Sequence, residues 1–95
     1  MIGVIAKLRT KPDRAADFEA QTIEMAKTVA AKEPGCHFYN AYRTDDPNVF
    51  VALELYEDQA AYDAHGASDH VAEAMQTVPD MLEGGMDVDV VTLVY

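Results

Sequence analysis

The chain has 95 residues, 49% of them hydrophobic and 25% charged, which suits one folded domain over residues 1–95 and leaves no room for a second core. Seventeen acidic residues against seven basic ones give a formal net charge of −10. That charge opposes binding to nucleic acid or to an anionic membrane surface, because both partners are negatively charged.

The N-terminal residues and the cysteine usage predict a reduced, cytoplasmic setting. Lys7 follows the first apolar residues too early for a secretory signal, and no apolar run approaches the length that spans a bilayer. We therefore expect no membrane partner. Cys36 is the single cysteine, so an internal disulfide cannot form.

The first half of the chain predicts a strand, a helix and a hairpin. Residues 2–10 are rich in Ile, Val and Leu and stop at a Lys-Pro pair, and a helical apolar pattern then runs from Asp13 to about Lys32. Glu33-Pro34-Gly35 is a helix stop signal. Residues 36–44 and 49–56 read as two strands joined by a short polar turn, which favours an antiparallel hairpin.

The second half predicts two helical segments and a final strand. Asp58 suits the N-cap of a short helix through His65, and a further helix begins after Ser68. Pro79 falls inside that helix and predicts a kink or an early end. Residues 87–95 form the last strand. The order β-α-β-β-α-β is the ferredoxin-like arrangement of the α+β class, with helices on one face of an antiparallel sheet.

The strand alternation predicts an apolar sheet face that helices do not cover. We assign Val49, Val51, Leu53 and Leu55 to the helix side. The opposite face then carries Phe50, Ala52, Glu54 and Tyr56 together with Phe38, Asn40 and Tyr42. Because so much aromatic surface is unusual in water, we expect a homodimer whose two sheets pack face to face around an apolar pocket. The alternative is that these residues only fill the interface.

Several short motifs follow one another along nearly the whole chain. They are Lys11-Pro12, Phe18, Glu33-Pro34-Gly35-Cys36 with Tyr39, Asp46-Pro47 with Phe50, Glu54, Tyr56, Ala61-Tyr62-Asp63-Ala64-His65 and Ser68-Asp69-His70. In this order and spacing the sequence resembles the antibiotic biosynthesis monooxygenase (ABM) domains, which include small quinol monooxygenases. The resemblance implies a dimeric α+β barrel, in which the strands of one subunit close against those of its partner.

The resemblance also implies an activity. Some ABM domains oxygenate quinols or polyketide aromatics with O₂ and without metal or flavin, whereas others degrade haem. The haem-degrading pattern has an Asn on the first strand and a Trp and a His on later helices. This chain has no Trp and no Asn in residues 2–10, and His65 and Met75 stand at the Trp and His positions. We therefore expect no haem degradation, and the Trp of some polyketide-acting members is missing too.

Oxygenation of a quinol needs a base, a dry pocket and polar groups that hold the substrate oxygens. We expect two catalytic residues: His65 as the base, because histidine exchanges protons readily near neutral pH, and Glu54, which with Asn40 would orient the substrate. Phe38, Tyr42, Phe50 and Tyr56 would be pocket walls. The structural alternatives are that His65 and His70 are surface or capping residues and that His37 is a structural residue beneath the helices.

Other chemistry has less support in the sequence. His65 and His70 are five residues apart, which on a continuous helix puts them off one face, so we expect no metal and no cofactor. Cys36 has no evident base partner and is not expected to be a nucleophile. A non-catalytic binding or regulatory dimer with the same cavity is the alternative function, and an isomerase on this scaffold is a third, lower possibility.

Overall fold

A computed structural model describes residues 1–95 as a four-stranded antiparallel sheet with helices packed on one face. In chain order the elements are β1 (Ile2–Arg9), a short 3-10 turn (Pro12–Arg14), α1 (Ala15–Lys32), β2 (Cys36–Arg43), β3 (Val49–Tyr56), α2 (Gln59–Gly66), α3 (Asp69–Ala74), α4 (Val78–Met81) and β4 (Asp87–Thr92). The predicted α+β ferredoxin-like class is confirmed. No helix is both long enough and apolar enough to cross a membrane.

The sheet has the strand order β2-β3-β1-β4, so β1 lies inside it and pairs with both β3 and β4. The predicted hairpin of β2 and β3 is present. In β1, Val4, Ala6 and Leu8 are buried while the alternate residues are exposed. This alternation marks the face that the helices cover.

The helix-facing residues of β3 are the opposite of those predicted. Val4 pairs with Glu54 and Leu8 pairs with Phe50, so these two β3 residues share the covered face. Phe50 packs on Phe18 of α1 with ring centroids 5.2 Å apart. Both faces of β3 are apolar in the sequence, and period-two alternation therefore does not distinguish the inner face from the outer one.

The predicted grouping of β2 with β3 is wrong for the same reason. Phe38, Asn40 and Tyr42 pair with residues of the helix-free face of β3, namely Leu55, Leu53 and Val51. Tyr39, Ala41 and Arg43 instead share the covered face with Glu54, Ala52 and Phe50. An irregularity between Cys36 and Phe38 sets this register.

Local sequence signals fix most helix boundaries. The Asp58 carboxylate accepts a hydrogen bond from the Ala61 N–H at 2.8 Å, as expected of an N-cap. The predicted early end before Pro79 is confirmed, since α3 stops at Ala74 and Pro79 lies in the first turn of the separate helix α4. The last strand stops at Thr92 rather than at residue 95.

The core lies between the covered sheet face and the helices, near α4. Its buried members are Leu8, Phe18, Phe50, Ala74, Val78, Met81 and Leu82. Each large apolar side chain buried in this way contributes about 1.5–3 kcal/mol. Five of these residues, Leu8, Phe18, Phe50, Ala74 and Val78, also line a cavity between the sheet and the helices, so the core forms part of the cavity wall.

Candidate functional site

A cavity of about 620 Å³ lies between the sheet and the helices, a size ordinary for a small-molecule site. Eighteen of its 24 lining residues are hydrophobic, and they come from the sheet as well as from α1, α2 and α3. The lining includes the carboxyl groups of Glu54 from β3 and Asp63 from α2 and the imidazole of His65, also from α2. The arrangement is an apolar chamber with few polar groups, which favours a flat, largely apolar ligand.

Glu54 is held at the sheet wall of the cavity by Tyr56. The Tyr56 hydroxyl donates a hydrogen bond of 2.5 Å to Glu54 Oε1, and both side chains are buried. Burial raises the pKa of Glu54, and the hydrogen bond from Tyr56 and the nearby His65 oppose that rise only in part. Burial also raises the pKa of Tyr56, as does the Glu54 carboxylate beside it.

At the helix wall, His65 is joined to a second carboxylate. His65 Nδ1 lies 2.8 Å from Glu33 Oε2, and His70 Nε2 lies 2.5 Å from the same oxygen. The three side chains are mostly buried, with relative exposures of 11% for Glu33, 13% for His65 and 15% for His70. We call these three residues the Glu33 cluster. Because an ionised carboxylate can only accept hydrogen bonds, both histidine nitrogens that face it act as donors.

The turn that ends α1 places Glu33 beneath α2. Glu33 is the C-cap of α1, and its N–H donates to the Val29 carbonyl. Gly35 follows and lies so close to α2 that a Cβ there would stand 2.7 Å from the Ala61 Cβ. The Glu57 N–H donates to the Gly35 carbonyl at 2.8 Å. Only glycine allows the chain to pass so close to α2. The Glu-Pro-Gly segment therefore both ends α1 and places the Glu33 carboxylate beneath α2.

The joint between α2 and α3 brings His70 back toward His65. The Ser68 hydroxyl donates to the His65 carbonyl at 2.6 Å and accepts from the Val71 N–H at 3.3 Å, so it caps α3 while holding the end of α2. The expectation that His65 and His70 lie off one face is wrong, because it assumed one continuous helix, whereas α2 ends at Gly66 and α3 begins at Asp69. The expectation of surface or capping roles for them is wrong as well.

Aromatic rings surround the His65 imidazole. The ring of Tyr39 is 5.8 Å away and that of Tyr56 is 5.4 Å away, measured between ring centroids. Tyr62 packs on Tyr56 at 5.3 Å. Burial raises the pKa of Tyr39, which keeps its hydroxyl protonated. The histidine thus sits in a rigid, poorly hydrated setting, which strengthens its interaction with Glu33.

The predicted site residues divide into three groups. His65, Glu54 and Phe50 line the cavity. Tyr56 does not line the cavity, but its hydroxyl donates a hydrogen bond to Glu54, which does. Phe38, Asn40 and Tyr42 lie on the other face of the sheet, so the prediction that they share a pocket with Glu54 is wrong.

Sequence reasoning missed Glu33 and Tyr39 as members of the site. Both residues were named in the family motifs, and Glu33 also as part of a helix stop, but neither was assigned to the site. The regular alternation of β2 carried a usable signal, because it puts Tyr39 on the face opposite Phe38. No local signal pairs Glu33 with His65, which lies 32 residues further along the chain.

The remaining candidates lie outside the cavity. His37 is exposed rather than beneath the helices, and its Nε2 lies 2.6 Å from Glu57 Oε2. Cys36 donates to the Phe38 carbonyl, and burial raises the pKa of its thiol to about 11. A thiol with so high a pKa is a poor nucleophile at neutral pH.

The fold and the site define a class of protein: a ferredoxin-like α+β domain with an apolar cavity and a carboxylate–histidine cluster at the cavity wall. The family profile described as antibiotic biosynthesis monooxygenase matches residues 1–77. The chain therefore belongs to this monooxygenase family, as its motifs predicted.

Individual relatives agree with this assignment. A proposed antibiotic biosynthesis monooxygenase of Caulobacter crescentus CB15 has a TM-score of 0.94 and 33% identity, with 99% of this chain and 90% of that chain covered. A proposed monooxygenase of Mycobacterium tuberculosis is 28% identical over 81 residues, covering 85% of this chain and 79% of that protein. Its structure has a TM-score of 0.92, with 99% of this chain and 95% of that chain covered.

One relative is considerably longer than this chain. An uncharacterised protein of Synechocystis is 29% identical over 82 residues, which are 85% of this chain and 55% of that protein. The chain thus spans about half the length of this relative.

Proposed function

We propose that the protein is a monooxygenase that oxidises a small quinol or phenolic aromatic with O₂ in the apolar cavity, the substrate itself supplying the electrons. The observation that carries the proposal is the pairing of His65 with Glu33 at the wall of a largely apolar chamber. This pairing supplies an oriented base where a flat aromatic ring fits, and membership of the monooxygenase family supports the reaction class.

Glu33 prepares His65 to accept a proton. The carboxylate accepts a hydrogen bond from His65 Nδ1, so in the neutral imidazole the unprotonated nitrogen is Nε2. The carboxylate also stabilises the imidazolium that forms when Nε2 takes a proton, as in other carboxylate–histidine pairs. His65 is thus the general base and Glu33 its positioning residue.

The reaction balances with substrate and O₂ alone. His65 removes a phenolic proton, and the electron-rich ring carbon of the anion forms a C–O bond to O₂. The O–O bond then breaks as the ring carbon that carries it loses its hydrogen as a proton. One oxygen stays on the ring as a carbonyl, and the other leaves as water with that proton and the proton that His65 returns. For a hydroquinone the product is a hydroxyquinone: the substrate loses four electrons and O₂ gains four.

Glu54 holds the substrate on the opposite wall in this proposal. Burial raises its pKa, so this carboxyl takes up a proton more readily than an exposed glutamate does, and in the protonated form it can donate a hydrogen bond to a substrate oxygen. Phe50 from the same strand supplies a flat apolar surface beside it. Together they orient the ring whose proton His65 removes.

We further propose that the active form is a homodimer, joined through the helix-free sheet face. That face carries large apolar side chains that one chain alone leaves in water, among them Ile5 (42% exposed), Phe38 (42%), Tyr42 (47%) and Val91 (43%). Soluble monomers rarely leave such a patch uncovered, and a second copy offers a self-complementary partner for it.

Oxygen uptake tests the proposed activity. Metal-stripped protein is mixed with hydroquinones, naphthoquinols and polyphenols in an oxygen electrode, with autoxidation subtracted. We expect protein-dependent uptake that falls by about 10²–10⁴-fold in His65→Gln, the usual contribution of a general base. Glu33→Gln should lower the rate less. His37→Gln is the matched control, because it changes an exposed histidine–carboxylate pair, and it should leave the rate unchanged.

Two results would contradict the proposal. Equal rates in wild type and His65→Gln would remove the base from the mechanism. No uptake across the panel, with the same compounds still raising the melting temperature, would show the alternative function, a binding or regulatory protein that uses the cavity without turnover.

A further inference from the structure

We propose that the Glu33 cluster is a binding site for one divalent transition-metal ion. Glu33, His65 and His70 each offer one ligand atom, and these atoms all lie within 4.8 Å of one another. They come from three separate elements: the end of α1, the last turn of α2 and the first turn of α3. The fold therefore converges on this point.

The donor set selects the kind of ion. Two imidazole nitrogens with one carboxylate oxygen suit Zn²⁺ and its neighbours Fe²⁺, Co²⁺ and Ni²⁺, whereas Mg²⁺ and Ca²⁺ prefer sites built from oxygen alone. Three protein ligands also leave at least one coordination position for water or a small molecule. The cluster thus matches a site with an open position better than a closed structural one.

The side chains need only a small adjustment to hold an ion. Their hydrogen-bonded atoms are 2.5 to 3.1 Å apart. Ligand atoms around a tetrahedral Zn²⁺ with bonds of about 2.0–2.1 Å stand about 3.3 Å from one another. Widening the present contacts by about 0.2 to 0.8 Å, through side-chain torsions, would make room. The ion would then replace the two N–H hydrogens that now face Glu33.

The surroundings hold these ligands in place. Ser68 bonds to the backbone of α2 and α3, which fixes the two histidines relative to each other. The rings of Tyr39 and Tyr56 pack beside His65 and restrict its orientation. Such outer contacts orient ligands in metal sites generally and contribute to affinity.

The chain contains a natural contrast in the pair of His37 and Glu57. These two side chains approach within 2.6 Å but are exposed, with relative exposures of 37% and 60%, and no third ligand joins them. Simple attraction between a histidine and a carboxylate accounts for that pair. It does not account for two histidines converging on one largely buried carboxylate.

This inference does not depend on the proposed oxygenase activity. An ion on His65 Nδ1 would leave the remaining imidazole hydrogen on Nε2, so a metal-loaded chain could not use His65 as a base. Metal loading and the proposed proton transfer therefore exclude each other in one molecule. Binding is measured without substrate, and turnover is measured without metal, so each can fail alone.

Calorimetric titration of metal-stripped protein with Zn²⁺ tests the site, and Co²⁺ serves as a spectroscopic probe. We expect one ion per chain, and at least about 10–100-fold weaker binding in Glu33→Gln, His65→Gln and His70→Gln, since loss of even an outer partner costs that much. His37→Gln should bind as wild type does. Circular dichroism and thermal melting check that each variant folds.

A measurement on the unmodified chain keeps the test independent of folding in the variants. Zn²⁺ should shift the imidazole NMR signals of His65 and His70 and leave those of His37 in place. Absence of stoichiometric binding would overturn the proposal. Equal binding in wild type and all three cluster variants, or equal shifts at all three histidines, would also overturn it and assign the ion to the acidic surface.

Discussion

At Glu54, burial and charge oppose one another within a single residue. The side chain lines an apolar cavity and has one strong hydrogen-bond donor, the Tyr56 hydroxyl. Its raised pKa means that the folded chain holds a proton on Glu54 more tightly than the unfolded chain does. The stability of the fold should therefore fall as pH rises through the range between the ordinary and the raised pKa.

Glu54→Gln should stabilise the protein at neutral pH, because the amide removes the buried charge and still accepts the Tyr56 hydrogen bond. We expect a gain of roughly 1 kcal/mol, the usual scale of one such interaction. The gain should vanish well below the ordinary glutamate pKa of about 4.3, where the wild-type carboxyl is protonated in both states. Urea titrations across this pH range measure it, with the exposed Glu73→Gln as control. The other ionisable groups that face Glu54 are His65, Glu33 and Tyr39. A variant that is destabilised at pH 7 would show that the charge on the Glu54 carboxylate is well solvated in the wild type.

At the scale of elements, the turn between α1 and β2 is built around one close contact. Gly35 passes so near Ala61 of α2 that no larger residue fits without a backbone shift. The same turn carries Glu33 to the histidines, so a change in helix seating should also disturb the cluster. Packing and site geometry are therefore coupled at this turn.

Gly35→Ala should destabilise the fold by about 1–3 kcal/mol, the usual cost of forcing an extra methyl group into a packed contact. Gly66→Ala is the matched control, since a Cβ at that position meets nothing within 4 Å. It should be neutral or slightly stabilising, because alanine restricts the unfolded chain more than glycine does. Thermal melting of both variants measures the difference in stability. Equal melting temperatures would contradict the prediction, because the backbone of the turn would then shift to accept the methyl group at no cost.

Elements with local signals were predictable from the sequence, and those set by long-range packing were not. The proline after Lys11, the Asp58 cap and the break before Pro79 each mark a boundary within a few residues. The helices pack on one side of the sheet, and this packing decides which face of β3 is buried. The sequence of β3 does not indicate that side, because both faces of the strand are apolar. The Glu33 cluster depends on a helix break and on a contact spanning 32 residues, so composition and period could not reveal it.

At the scale of the whole molecule, the proposed association depends on the helix-free sheet face. On this face Ile5 pairs with Leu53, and Phe38 pairs with the neighbouring Leu55, so an apolar patch crosses three strands and would lie within a face-to-face pair. A charge placed there would be buried without a partner, which is strongly unfavourable. The cytoplasmic setting expected from the sequence stays a prediction.

Leu53→Lys should therefore shift the protein from a dimer to a monomer. Sedimentation or light scattering measures the mass in solution, and we expect it to fall by half. Ile23→Lys is the control, because Ile23 is an exposed apolar residue on α1 rather than on the sheet. A wild-type chain that already sediments as a monomer would contradict the proposed assembly.

The cavity between sheet and helices has a consequence for how two copies would work together. The sheet forms one wall of the cavity, whereas the surface proposed for association is the opposite side of the same sheet. A dimer would thus carry two chambers, each walled off from the other by its own strands. Ligand occupancy should follow a simple hyperbola with one molecule per chain. A chain made monomeric should bind nearly as well, so assembly and ligand preference are free to change separately.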